Sequence, residues 1–140
     1  MHNNGTVVIV DDDDDDREIL ESVFKRLKYS NEIIFFKDGF TALQYLNNVE
    51  KAPLVILSDI NMPKMDGVRL RKEIQESHNN IIKCVPFIFF TTASTEIIVR
   101  NAYSSSIQGF FVKAISMDEI ESTISIIIEY WKRCLTLNDF

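Results

Sequence analysis

Five short apolar runs divide the chain: Thr6 to Val10, Glu32 to Phe36, Leu54 to Leu57, Pro86 to Phe90 and Gly109 to Val112. Each is continuous rather than alternating, and each is rich in β-branched or aromatic residues, the pattern of strands covered on both faces of a parallel sheet. The segments between them carry helical spacing. Ile19, Leu20, Val23, Phe24 and Leu27 form one apolar stripe; Ala42, Leu43 and Leu46 form a short second; Val68, Leu70 and Ile74 suggest a third. The last helix has the clearest start, because Ser116 and Glu119 have capping-box spacing ahead of Ile120, Ile124, Ile127, Ile128 and Trp131. The helix expected over Glu96 to Tyr103 is marked least well, since Ile97, Ile98 and Val99 are β-branched. Strand and helix alternating five times predict an α/β, doubly wound, five-stranded parallel sheet with right-handed crossovers.

Length and charge narrow the picture. At 140 residues, with 46% hydrophobic and 26% charged residues, one domain over residues 1–140 is expected, with no internal repeat or linker. A net charge of −6, with fifteen scattered Lys and Arg residues, argues against nucleic acid as a partner. MHNNGTVV lacks the features of a signal peptide and no apolar run approaches membrane-spanning length, so the expected location is the cytoplasm, with no membrane contact. Cys84 and Cys134 form no CxxC pair and read as reduced, structural thiols.

The polar residues at the strand ends carry the chemistry. In an open parallel sheet, ligands bind beyond the carboxyl ends of the strands, near the point where strand order reverses. Those ends present Asp11 and Asp12, Asp59, Thr91 and Lys113. For strand order 2-1-3-4-5, Asp11, Asp12 and Asp59 share one crevice bordered by Thr91 and Lys113. Asp13 to Asp16 continue the acidic run into the first turn of a helix, where capping and solvation account for them. Carboxylates about 5 Å apart repel by roughly 3 kcal/mol per pair at an effective dielectric of about 20, so the cluster calls for a proton or a cation. An oxygen-only ligand set suits Mg²⁺, and the lack of His or Cys disfavours zinc. A cation there, with an ammonium and a hydroxyl nearby, makes Asp59 a plausible nucleophile toward phosphorus.

Four segments in order, VVIVDD, LVILSDINMPKMDG, PFIFFTTAS and GFFVK, resemble the receiver domain of response regulators in bacterial two-component signalling, over nearly the whole chain. The resemblance implies the flavodoxin-like receiver fold, with strand order 2-1-3-4-5, and a phosphoacceptor signalling domain rather than an enzyme. Asp59 would accept a phosphoryl group from a sensor histidine kinase or a histidine phosphotransfer protein. Asp12 would hold Mg²⁺ directly and Asp11 partly through water, with Asp59 and the backbone carbonyl of Asn61 completing the set. Lys113 would pair with the phosphoryl oxygens, Thr91 would swing toward them, and Phe110 would occupy the aromatic switch position. Asn61 and Ala93 would flank the path of hydrolytic water.

The chain also departs from the family pattern. Ala114 replaces the usual proline after Lys113, which points to a trans peptide there; Thr92 adds a second hydroxyl beside Thr91; and Phe110 lacks a tyrosine hydroxyl. Asp66 reads as a helix N-cap and Gly67 as a point of close backbone approach. With no chain left for an output domain, a single-domain regulator acting on a downstream protein, or a carrier in a phosphorelay, is expected. The partner face implied is the fourth helix, fifth strand and fifth helix. ISIIIEYWKRCLTL holds more apolar residues than one buried stripe needs, which leaves a homodimer open beside plain core packing. Three alternatives stand beside this reading: a receiver-like module that binds without phosphorylation, an aspartate-nucleophile phosphohydrolase, and a flavodoxin-like electron carrier. The hydrolase signature DxDx[TV] fails at Asp15, and six aspartates would repel a flavin phosphate.

Overall fold

A computed structural model describes residues 5–92 and 94–140. Ala93 therefore lies outside the described residues. The strands are β1 (Val7–Val10), β2 (Ile33–Phe36), β3 (Val55–Ser58), β4 (Phe87–Thr91) and β5 (Gly109–Val112). The helices are α1 (Asp14–Leu27), α2 (Gly39–Asn47), α3 (Gly67–Gln75), α4 (Glu96–Ser104) and α5 (Met117–Arg133). All neighbouring strands pair in parallel, in the order β2-β1-β3-β4-β5. The alternation of apolar runs and helical stripes is thus realised as expected, including α4 despite its β-branched start.

The sheet's two-residue period sorts the core into two layers. Val8, Val10, Ile56, Phe87 and Phe89 face Ala42, Leu46, Leu70, Ile74 and Ala102 on one side. On the other, Val7, Ile9, Val55, Leu57, Ile88 and Phe90 pack on Leu20, Val23, Phe24, Ile120, Ile124, Ile127 and Ile128. Full burial holds for β1, β3 and β4 but not for β2 and β5. These two are edge strands with a neighbour on one side only, so their aromatic residues find partial cover instead. Phe36 packs 5.2 Å from Tyr45, and Phe35 lies under the Arg17 guanidinium at 4.8 Å.

Caps set the helix boundaries near the strand ends. Asp13 is the N-cap of α1, its Oδ1 accepting from the backbone N–H groups of Asp15 and Asp16 at 2.8 and 3.2 Å. Ser116 accepts from Glu119 N–H at 3.1 Å, which starts α5 as its spacing predicts. Asp66 caps α3 by accepting from Arg69 N–H at 2.8 Å. From the middle of α3, buried Arg71 crosses to the loop after α4 and donates to the carbonyls of Ser105 and Ser106 at 3.2 and 2.6 Å. Its guanidinium also lies 5.4 Å from the Phe87 ring centre.

Gly67 opens α3 directly against the end of β3. Its N–H donates to Ile60 O at 2.8 Å, and a Cβ there would overlap the carbonyl oxygen of Asp59 and come within 2.7 Å of the Phe89 ring. Only a residue without a side chain lets the helix approach this closely. Gly67→Ala should therefore destabilise the fold by about 1–3 kcal/mol, the usual range for overpacking, read as a lower urea midpoint at unchanged slope.

Candidate functional site

The carboxyl ends of β1 and β3 meet because the two strands are paired in register, with Val10 opposite Ser58. Asp59 N–H donates to Val10 O at 2.9 Å and Asp11 N–H to Phe36 O at 3.0 Å, so both acidic residues begin from backbone that is tied to a neighbouring strand. Consecutive residues leaving a strand point to opposite sides. Asp11 turns inward and is buried, whereas Asp12 is exposed.

Asp59 is buried and fully engaged. Its Oδ1 accepts from Ile60 N–H at 2.7 Å and from the Thr91 hydroxyl at 2.6 Å, while Oδ2 accepts from the Lys113 ammonium at 3.1 Å. Lys113 reaches in from the end of β5, its own N–H held by Thr91 O at 2.6 Å. Its ammonium also donates to Asp11 Oδ2 at 2.6 Å and Asp16 Oδ2 at 2.7 Å, and the lysine side chain is only 7% exposed. Three N–H donors meet three carboxylates. Burial pulls the lysine's pKa down, but the hydrogen bonds to Asp11 and Asp16 and the charges of Asp11 and Asp59 together outweigh it. The ammonium is thereby held above its ordinary range. Burial pushes the Asp11 carboxyl up, only partly offset by its hydrogen bonds to Lys113 and Asp13 N–H.

Of the sequence candidates, Asp11, Asp59, Thr91 and Lys113 converge. Asp12 and Asn61 are exposed at the rim, one residue past Asp11 and two past Asp59. Thr91 rather than Thr92 faces Asp59: Thr91 is 1% exposed and bonded to it, whereas Thr92 is exposed. Phe110 is half-buried, its ring edge-on to Phe89 at 6.1 Å. The Lys113–Ala114 peptide is trans.

Asp16 is the residue that sequence reasoning assigned only to capping and solvation. Its signal lay in the helical stripe: with Asp13 fixing the start of α1, Asp16 precedes Leu20, Val23 and Leu27 on the sheet-facing side, one turn nearer the crevice. Asp13, Asp14 and Asp15 are exposed and do cap and solvate, Asp14 pairing with Lys37 at 3.0 Å.

The chemistry of this donor set fits a hard divalent cation. Asp11, Asp16 and Asp59 each offer a carboxylate oxygen, all within 4.8 Å of one another, and no softer ligand is among them.

Residues 7–125 match the response regulator receiver domain. The chain belongs to that family. Among its relatives, the probable methanogenesis regulatory protein FilR2 of Methanothrix harundinacea is 29% identical over 117 residues, covering 81% of this chain and 74% of that protein. Response regulator Rcp1 of a Synechocystis strain is 26% identical over 124 residues, covering 85% and 83%. In the solved Mn²⁺-bound form, Rcp1 superposes with a TM-score of 0.79 over 95% of this chain and 98% of its own, at 25% identity. The phosphorylated cyanobacterial phytochrome response regulator RcpA shares the fold, with a TM-score of 0.83 over 95% and 97% at 22% identity. Membership in the receiver family displaces the hydrolase and electron-carrier readings, and the crevice at Asp59 is a receiver-domain acidic cluster.

The raised pKa of Asp11 sets a pH dependence. A carboxyl that holds its proton more tightly when folded contributes stability that is complete below its ordinary value of 3.8 and is lost as pH rises through the higher folded value. Asp11→Asn should therefore flatten the fall in stability that accompanies a rise from acid to neutral pH, as followed by denaturant unfolding in EDTA across that range.

Proposed function

We propose that this receiver domain is a phosphoacceptor switch whose acceptor is Asp59. One observation carries the reading: a single buried carboxylate is addressed at one oxygen by a hydroxyl and at the other by an ammonium, the two groups needed to receive a phosphoryl group's oxygens. A divalent cation, Mg²⁺ being the natural choice for oxygen ligands, would be held by Asp12, Asp59 and the Asn61 carbonyl, with Asp11 partly through water. When bound, it supplies charge neutralisation between two anions.

The donor would be the phosphohistidine of a sensor kinase or of a histidine phosphotransfer protein. A carboxylate oxygen of Asp59 attacks phosphorus as the P–N bond breaks; the electron pair passes to the imidazole nitrogen, which takes up a proton. The product is an acyl phosphate. Lys113 then holds the charge that develops on the phosphoryl oxygens. Thr91 releases its bond to the acceptor carboxylate and takes up a phosphoryl oxygen instead, and Phe110 is the aromatic side chain free to follow it.

Output would pass through protein–protein contact on the α4, β5 and α5 side. Ile97 on α4, Val112 on β5 and Ile115 in the loop after it are 69%, 53% and 102% exposed, more apolar surface than this part of the molecule can bury alone. A downstream protein or a second copy of the chain fits that surface. The formal charge of −6 disfavours nucleic acid, and no helix among the described residues is long and apolar enough to cross a membrane.

Incubation with Mg²⁺ and acetyl phosphate should place one hydroxylamine-sensitive phosphoryl adduct on Asp59, identified by mass spectrometry. The adduct should be absent in Asp59→Asn and in EDTA. A protein that binds Mg²⁺ but never acquires the adduct would instead be a module that works without phosphorylation.

A further inference from the structure

Lys113 and the proposed cation draw on the same carboxylates. The ammonium is bonded to Asp11, Asp16 and Asp59, whereas the cation would draw on Asp59 directly and on Asp11 partly through water, beside Asp12 and the Asn61 carbonyl. The third lysine partner, Asp16, lies within 4.8 Å of the other two carboxylates but is not needed for that ligand set. Asp16 stands on α1 rather than at a strand end, and its Oδ2 lies 2.7 Å from the ammonium, nearly as close as that of Asp11. The α1 backbone beneath it is set by the Asp13 cap, whose Oδ1 accepts from the N–H of Asp16 itself.

We propose that Asp16 is a positioning residue: it keeps Lys113 in the crevice once a divalent cation has claimed Asp11 and Asp59, so that the ammonium is already in place when phosphoryl oxygens arrive. This rests on the phosphoacceptor reading of Asp59. The physical need is plain. A lysine carries four rotatable bonds, and an ammonium released by two of its three anions would otherwise return to water. In the metal-free protein Asp16 is one anchor of three, and its loss is tolerated; in the loaded protein it is the remaining one. The role therefore shows only when metal is present, which separates it from a structural role in α1.

The ammonium itself supplies the readout. A buried, ion-paired lysine NH₃⁺ exchanges slowly enough to give a ¹H–¹⁵N correlation near neutral pH, and a solvated one does not. The Lys113 resonance is assigned by its absence in Lys113→Met. In the wild type it should persist with and without Mg²⁺. In Asp16→Asn it should persist without Mg²⁺ and vanish when Mg²⁺ is added, and adduct formation from acetyl phosphate at saturating Mg²⁺ should fall about tenfold, the effect of losing one charge-assisted bond. Glu18→Gln, which removes one exposed charge from the same helix, should leave the resonance unchanged and alter the rate less than twofold.

Loss of the wild-type resonance on adding Mg²⁺ would overturn the proposal, because Asp16 would then have turned to the metal. Persistence of the resonance in Mg²⁺-loaded Asp16→Asn would overturn it too. Mg²⁺ binding is followed separately through the backbone amides of Asp59 and Ile60; if these fail to shift, the metal-assisted reading and the role of Asp16 fall together. If they shift and Lys113 behaves as expected but no adduct forms, the phosphoacceptor reading fails while the positioning of Lys113 stands.

Discussion

One ammonium shared by three buried or half-buried carboxylates is the constraint around which this molecule is arranged. Like charges this close would drive the ends of β1, β3 and α1 apart, and Lys113 is what allows them to sit together. The lysine is also the contact that closes the crevice across the sheet, since it arrives from β5, beyond β4. Its backbone is tied to Thr91 and its side chain to residues 54, 97 and 102 positions earlier in the chain. The site and the sheet edge are thus coupled through a single side chain, and any species that competes for those carboxylates, or for the ammonium, is felt at β5.

Most of the fold was legible because it depends on periodicity. Runs such as PFIFF and VVIV have no polar position at all, as expected where both faces are covered, and Val7 to Val10 are wholly buried as that pattern requires. Edge strands broke the rule. EIIFF and GFFV read like interior strands, yet β2 and β5 are half-exposed, because an edge strand is distinguished by its neighbours and not by its own residues. Strand bounds slipped by a residue at β1 to β4, where Thr6, Glu32, Leu54 and Pro86 lie just outside the strands.

The site was legible to the extent that strand ends mark it. Asp11, Asp59 and Lys113 each follow a strand directly and Thr91 ends one, so topology alone brings them together. Asp16 does not. It sits in a run where Asp13, Asp14 and Asp15 explain themselves by capping or solvation, and its separate role depends on the phase of α1, which is fixed by the choice of Asp13 as cap. Arg71 escaped notice for a related reason: a lone arginine in an amphipathic helix gives no sign that it will be buried, with its partners more than thirty residues away in the loop after α4.

Gly67 has a bearing on Asp59 beyond the packing of α3. With that helix pressed against the carbonyl of Asp59 and the amide of Asp59 held by Val10, the main chain of residue 59 is clamped on two sides. Were Asp59 esterified as proposed, a backbone so held would have no room to retreat from the bulk of three further oxygens. The steric load would then fall on the opposite wall, at Thr91 and Lys113.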